Sequence, residues 1–381
     1  MSNIKPPYFH YELIHQSTRS RARVGRVHTP HGIIDTPNFV AVGTNGTLKA
    51  LDNAVVDTLG LQLMFCNTYH LLLQPGPEVV AKAGGLHQFI GRRQPIITDS
   101  GGFQVFSLAY GGVADEIKSR GTKKHEGAVS KITERGVIFR SYRDGRKILL
   151  TPESTVEVQK DLGADIIIPL DELPPYHIDD KALRASLART HRWEARSLET
   201  HLANPKQQAM YAVIHGGTDP KLRARSCEVL TELPFDGFAI GGSMGRTRDE
   251  MIETVRVTTP NLPEDKPNHL LGIGDLYSID RCVVHGIDTF DSAYPTRAAR
   301  HGTLFTSHGP IKIKSGRWAE CFEPIEKDCP CPTCEVHSLA FLHHLFKASE
   351  PSAAMLASYH NVAYMVKHMR QLREAILENK I

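Results

Sequence analysis

The sequence predicts an α/β fold, a (β/α)8 TIM barrel, and three observations lead there. Short apolar runs recur along the chain, eight in all, each ending in polar or glycine-rich residues. Stretches of helical character separate most of them. The runs are continuous rather than alternating, the pattern of a parallel sheet buried on both faces. Eight such units favour a closed barrel over an open doubly wound sheet. The glycine fingerprint of a dinucleotide fold is also missing, since no G-x-G-x-x-G follows the first run.

Taken in order, residues 1–35 are polar and turn-rich, and the alternation over Arg21–Val27 predicts a lead-in hairpin without chemistry of its own. The runs then begin. Asn38–Val42 leads to Gly43-Thr44-Asn45-Gly46, Leu61–Phe65 to Cys66-Asn67-Thr68, and Pro95–Thr98 to Asp99-Ser100-Gly101-Gly102. Ile166–Leu170 leads to Asp171-Glu172, Met210–Ile214 to His215-Gly216-Gly217, and Gly237–Ile240 to Gly241-Gly242-Ser243. His269–Leu271 leads to Gly272-Ile273-Gly274-Asp275, and Thr289-Phe290 to Asp291. Among the helices, Thr151 is a good N-cap with Pro152 behind it, and Gly163 closes that helix. Asp180–His201 is apolar at helical spacing and long enough to cross back over a sheet.

In a barrel the residues just past the C-terminal strand ends converge on one mouth, where chemistry is done. Asp99, Asp171, His215, Gly242 and Asp291 would then share a pocket. Each alone reads as a cap or turn residue; five in phase with the strand ends do not. A basic, glycine-containing excursion interrupts the pattern at 109–131, followed by an alternating stretch, Gly136–Leu150, that turns at Arg143-Asp144-Gly145.

The totals bound the function. A chain of 381 residues can bury a large core, and one domain spanning 1–381 is expected, with a metal-binding subdomain over 315–365. Net charge is only +3, so contact with nucleic acid must come from local clustering. Such a cluster exists: no acid occurs between Ser292 and Ala319, while Arg297, Arg300, Lys312, Lys314 and Arg317 do. A lone carboxylate at a strand end, Asp291, followed by a cationic tract suits an electrophilic carbon beside a phosphate chain. No secretory leader or membrane span is legible, and a cytoplasmic protein is expected.

Seven cysteines do not form a secreted framework, because Cys329, Cys331 and Cys334 crowd into six residues. With one imidazole they would compose a closed tetrahedral Zn2+ site of the structural kind, one ion per chain. His360 is the expected fourth ligand, with His337, His343 and His344 as nearby alternatives and Cys321 as a further candidate thiol.

These residues carry a resemblance. Thr98-Asp99-Ser100-Gly101-Gly102-Phe103-Gln104, Asp171-Glu172, Gly241-Gly242, Phe290-Asp291 with Pro295-Thr296-Arg297, and the C-x-C-x-x-C…His set resemble tRNA-guanine transglycosylase, in order, from about Arg26 to the C-terminal helix. The resemblance implies a barrel with a zinc-bearing insertion near its C-terminus. It implies exchange of the wobble guanine of tRNA, in a U-G-U anticodon context, for a 7-deazaguanine base in queuosine modification. Asp291 would be the nucleophile that forms a covalent glycosyl-enzyme, and Asp99 the general acid/base. Ser100, Gly101, Gly102, Phe103, Gln104, Asp171, His215, Gly242 and Leu271 would bind the base. Gly272, Gly274, Asp275, Ser278, Thr296, Arg297 and Arg300 would face the anticodon loop. A homodimer is implied as well.

The chain departs from the pattern near the base's 7-substituent. His215 stands where bacterial members place glutamine, and Leu173 where they place cysteine. The loop Gly241–Arg246 is shortened, which leaves the usual glutamate without a clear counterpart. These departures lead to an expectation that queuine is taken directly, in preference to its aminomethyl precursor. The competing expectation is a non-catalytic tRNA-binding accessory subunit of the same fold, which would have lost its catalytic acids.

Overall fold

The structure, a computed structural model, describes residues 8–110 and 129–381. The chain opens with three antiparallel strands, β1 (His10–Gln16), β2 (Arg23–Thr29) and β3 (Gly32–Thr36). The expected hairpin is thus extended by a third strand, because Pro30-His31 turns the chain back at Gly32 to pair β3 with β2. The first barrel strands follow: β4 (Asn38–Val42), β5 (Leu63–Cys66) and β6 (Ile96–Thr98). A small antiparallel sheet stands next in sequence, made of β7 (Val129–Thr133), β8 (Gly136–Arg140) and β9 (Lys147–Leu150). The remaining barrel strands are β10 (Ile166–Ile167), β11 (Ala209–Ile214), β12 (Gly237–Ile240), β13 (Asn268–Leu270) and β14 (Thr289–Ser292).

Each expected apolar run supplies one strand of the barrel. All are parallel, and they close in the order β10-β11-β12-β13-β14-β4-β5-β6. Side chains alternate across the wall as strand geometry requires. Val40, Leu63, Phe65, Ile97, Ile166, Tyr211, Val213 and Ala239 fill the interior together with Phe9, Tyr11, Val27 and Ile34 of the N-terminal sheet. Phe39, Met64, Ile96, Ile167, Met210, Phe238, Leu270 and Phe290 join the cluster that includes the surrounding helices. The N-terminal sheet therefore plugs one end of the barrel. There Asp288 receives Arg23 at 2.6 Å, the Tyr11 hydroxyl at 3.0 Å and the Asn268 N–H at 2.6 Å, so the buried charge is paired and saturated.

Local signals hold where they were strongest. Thr151 caps the helix Pro152–Leu162 in a reciprocal box with Ser154, and Gly163 ends it in the left-handed region at φ 72°. The helix Asp180–Ala203 starts on the Asp179 cap and spans 24 residues. Of the basic excursion expected over 109–131, residues 111–128 lie outside the described residues; Tyr110 ends the helix Gly102–Tyr110 and Val129 opens β7. The C-terminal helical stretch breaks where Pro351 begins a new helix, Pro351–Leu377. That helix serves two cores. Tyr359, Val362, Met365 and Met369 pack into the barrel shell, whereas Ala353, Leu356 and Ala357 join the cluster around the three crowded cysteines.

Candidate active site and metal centre

At the end of the barrel opposite the plug, the strands deliver the acids the sequence singled out. Asp291 lies within β14 and is buried. Strand parity turns it inward, because Phe290 before it packs outward. Its Oδ1 receives the Gly272 N–H at 2.6 Å and stands 3.1 Å from His269 Nε2. Gly272 sits at φ 73°, a left-handed turn straight after β13 that aims its N–H back at the neighbouring strand. His269 is fully buried on β13, its ring facing Phe65 at 6.2 Å and its Nδ1 2.8 Å from Thr289 Oγ1. No hydrogen bond to Asp291 Oδ2 occurs among the described residues, so one oxygen is held and the other is available.

Asp99 follows β6. Its Oδ1 accepts the Thr68 N–H at 2.7 Å and its Oδ2 accepts Asn67 Nδ2–H at 2.9 Å. Burial pushes the Asp99 carboxyl up to about 6, against the donors Asn67, Thr68 and Gln104, and the charge of Asp171 adds to the rise. A carboxyl poised there can hold or release a proton near neutral pH. The motif after it turns at Gly101 and enters a helix: Ser100 is buried with its hydroxyl accepting the Gly102 N–H at 3.2 Å, Gln104 is half-buried, and Phe103 is exposed. A side chain on Gly102 would come within 3.1 Å of the Asp171 carbonyl oxygen, so the Asp99 and Asp171 loops meet there.

Asp171, half-buried after β10, pairs with His215 after β11, with Oδ2 and Nε2 2.8 Å apart. A carboxylate only accepts, so His215 carries its proton on Nε2. Gly242 after β12 closes on the other side of the ring. At φ 78°, a Cβ there would stand 2.6 Å from His215 Nδ1, so glycine alone fits. Leu271, half-buried, lies 3.1 Å from where a Gly241 side chain would begin. A cavity of about 420 Å3 opens beside His215, lined among others by Glu172, Tyr176, Ser186, Thr190, Asp219 and Arg246. The Ser186 hydroxyl is buried there without a hydrogen-bond partner among the described residues.

The remaining rim residues are less uniform. Gly274 packs against the Asp291 backbone, 3.3 Å from its carbonyl carbon to an ideal Cβ. Asp275 caps the helix Leu276–Val283, and the buried Ser278 donates its hydroxyl to that cap at 2.6 Å. Thr296 is buried in the helix Tyr294–Arg300, on which Arg297 is exposed and Arg300 half-buried. Burial, and then the charge of Arg297, lower the Arg300 pKa, placing two cations side by side at the end of β14.

Three supports escaped the sequence reading. His269 stood inside an apolar run and was read as strand. Arg223 is fully buried with no carboxylate partner among the described residues; its guanidinium donates to the carbonyls of Ile214, Gly217, Gly241 and Ser243, binding the loops that carry His215 and Gly242 together. Glu194, in the long helix, accepts the Val213 N–H at 3.1 Å, and burial raises its pKa well above the usual carboxylate range.

Away from the mouth, Cys329, Cys331, Cys334 and His360 form a buried group that could hold a metal ion. The sulfur atoms stand 3.8, 3.8 and 3.3 Å from His360 Nδ1, spacings that suit the corners of one tetrahedron. His360 Nε2 faces the Phe305 carbonyl at 2.7 Å and must donate to it, which leaves Nδ1 for the ion. The other nearby groups stand outside the cluster: His343 bonds the Ile313 carbonyl at 2.7 Å, and His337 stacks on Phe341. A second group, His31, His87 and Asp165, lies at the plugged end. Burial would raise the Asp165 pKa, but the His31 hydrogen bond at 2.7 Å and the His87 ring, with Nε2 3.1 Å from Oδ2, hold it well below the usual range, and Oδ2 also accepts the Ile96 N–H at 2.8 Å. Asp165 is read as a strand fastening.

Comparison with known proteins gives the family. The profile of the family described as Queuine tRNA-ribosyltransferase matches residues 17–381. The chain is 68% identical over 374 residues to the queuine tRNA-ribosyltransferase of Protochlamydia amoebophila, covering 98% of this chain and 97% of that protein. It is 58% identical over 372 residues to that of Chlamydia muridarum, with 97% and 99% covered. To that of Chlamydia trachomatis it is 56% identical over the same length and shares.

Proposed function

The chain belongs to the queuine tRNA-ribosyltransferase family, and from that premise we propose that it exchanges a tRNA wobble guanine for a 7-deazaguanine base through a covalent tRNA–Asp291 intermediate. It is a pentosyltransferase. In the first half, Asp291 Oδ2 attacks ribose C1′ and the C1′–N9 bond breaks. The bonding pair leaves with guanine, which takes the Asp99 proton. In the second half, N9 of the incoming base gives its proton to the Asp99 carboxylate and attacks C1′, and the C1′–Oδ2 pair returns to Asp291. The observation that carries this reading is the asymmetric hold on Asp291, one oxygen tied to Gly272 and His269 and the other without a partner among the described residues. A carboxylate so placed can trap the oxocarbenium-like centre, as in retaining glycosidases. A pKa of about 6 at Asp99 suits a group that must give and then take a proton.

In this reading the target base is flipped from a single-stranded anticodon loop into the mouth. Asp171, His215 and the Gly242 backbone read its edge; Ser100, Gly101, Gly102 and Gln104 shape the floor; Phe103 and Leu271 flank its faces. Arg297 and Arg300 take phosphates, while Gly272, Gly274, Asp275, Ser278 and Thr296 shape the rim they stand on. The cavity of about 420 Å3 beside His215 supports queuine, with its larger 7-substituent, as the incoming base.

Cys329, Cys331, Cys334 and His360 would hold one Zn2+, whose closed set of ligands supplies a structural crosslink and no site for reaction. Exposed Phe322, Val336 and Phe341 on the same subdomain support a homodimer through that face. Seven free cysteines and a tRNA substrate fit a cytoplasmic location. No helix among the described residues is long and apolar enough to cross a membrane. The accessory-subunit reading finds no support, since Asp99 and Asp291 are both present. The decisive test is Asp291→Ala: labelled-guanine exchange and the covalent tRNA adduct on a denaturing gel should both vanish while tRNA binding persists. Unchanged exchange would sink the assignment.

A further inference from the structure

We propose that His269 is a positioning residue for the second half of the reaction, speeding departure of the Asp291 carboxylate from C1′; this rests on Asp291 being the nucleophile. The tautomer follows from the partners. Asp291 Oδ1 can only accept, so the proton facing it across 3.1 Å belongs to His269 Nε2. In the neutral ring Nδ1 is then an acceptor, and the Thr289 hydroxyl 2.8 Å away donates to it. Thr289 and Asp291 lie two apart on β14, so both face inward, and His269 is the direct register partner of Thr289 on β13. The imidazole is fully buried, its donor fixed in direction by the hydroxyl behind it.

The chemistry differs between the halves. A donor on Oδ1 draws charge from the carboxylate, which slightly weakens Oδ2 as the attacking atom. Once Oδ2 carries the ribose, Oδ1 becomes the ester carbonyl oxygen. When N9 of the incoming base attacks C1′, the C1′–Oδ2 bond breaks and its electron pair returns to the carboxyl group. Negative charge then grows on Oδ1 as well as Oδ2. The His269 and Gly272 N–H groups, already aimed there, stabilise it as oxyanion donors do. The Gly272 donor belongs to the backbone and remains in any variant, which leaves the His269 contribution separable.

The test uses full-length enzyme with guanine-preloaded tRNA. His269→Phe keeps an aromatic ring beside Phe65 and removes the donor; Thr289→Val removes only the hydroxyl that orients it. Loss of a hydrogen bond to a developing charge should lower kcat roughly tenfold to hundredfold. The adduct should rise as a fraction of enzyme at steady state, because its breakdown slows more than its formation. His269→Gln, which can present an N–H to Oδ1, should recover most of the rate; Thr289→Val should fall between. An unchanged kcat, or a lower kcat with no rise in adduct, overturns the proposal. If His269→Phe lacks a native thermal transition, the adduct fraction in Thr289→Val decides alone. Failure of the nucleophile assignment looks different: the adduct would then persist in Asp291→Ala, or be missing from the unaltered enzyme.

Discussion

Asn67→Ala tests the proton balance at Asp99. Burial raises that carboxyl to about 6, and the Asn67 amide at 2.9 Å is the strongest of the donors that hold it down. A hydrogen bond to a charged group contributes about 1.5 kcal/mol or more, and about 1.4 kcal/mol corresponds to one pKa unit. Its removal disfavours the ionised form, so the pKa moves up by about one unit. The consequence depends on pH in a definite direction. In the proposed mechanism the incoming base loses its N9 proton to ionised Asp99, so kcat/KM for that base should rise with pH through the Asp99 pKa. In the variant that limb should lie about one pH unit higher. With limbs near 6 and 7, the rate at pH 6 falls about fivefold while the rate at pH 8 changes by only about a tenth. The assay is a pH profile of kcat/KM for the incoming base with tRNA saturating. An equal loss at every pH would mean that Asn67 merely shapes the site, and a limb displaced downward would refute the electrostatic argument.

Two further outcomes follow from the same structure. Prolonged chelation, or Cys334→Ser, should remove about one zinc per chain by elemental analysis and lower the melting temperature by several degrees at least, since ligands and long helix share one core; metal-free purified protein with an unaltered melt would contradict the zinc reading. Offered separately, queuine should release labelled guanine with a kcat/KM at least about tenfold above that of the aminomethyl precursor, and His215→Gln should narrow the gap; equal or better use of the small base would show that the cavity beside His215 is neutral to the choice.

The barrel was legible because its strands are buried on both faces, so each reads as an unbroken apolar run with a polar end. Even so, β10 is paired only over Ile166–Ile167, although the run continues to Leu170. Further along, the Val213 N–H on β11 goes to Glu194 instead. A glutamate at helical spacing reads as a solvent-facing residue, and nothing in the local sequence says that it points inward. Arg223 was hidden for the same reason: it sits in the helix Pro220–Thr231, and its partners are four backbone carbonyls, which leave no mark on residue identity. The N-terminal sheet was seen only as a hairpin, because its role depends on Asp288, which lies 265 residues from Arg23.

The site divides along the same line. Asp99, Asp171, His215, Gly242 and Asp291 were found because each follows or ends an apolar run, and the barrel turns that sequence position into a place at the mouth. His269 is one layer deeper. It lies within its run, where polar residues are read as strand and passed over. Parity could have found it: Phe290 faces outward, so Asp291 and Thr289 face inward, and the in-register neighbour of Thr289 is His269. That inference needs the order and register of the strands as well as their existence, and register is fixed by how interior side chains pack, not by any one run. The residues that a barrel gathers at its mouth are therefore readable from strand ends alone. Those that aim them become readable only once neighbouring strands are aligned, and for that reason His269 is the residue whose variants discriminate most sharply between a site that is merely present and one that is positioned.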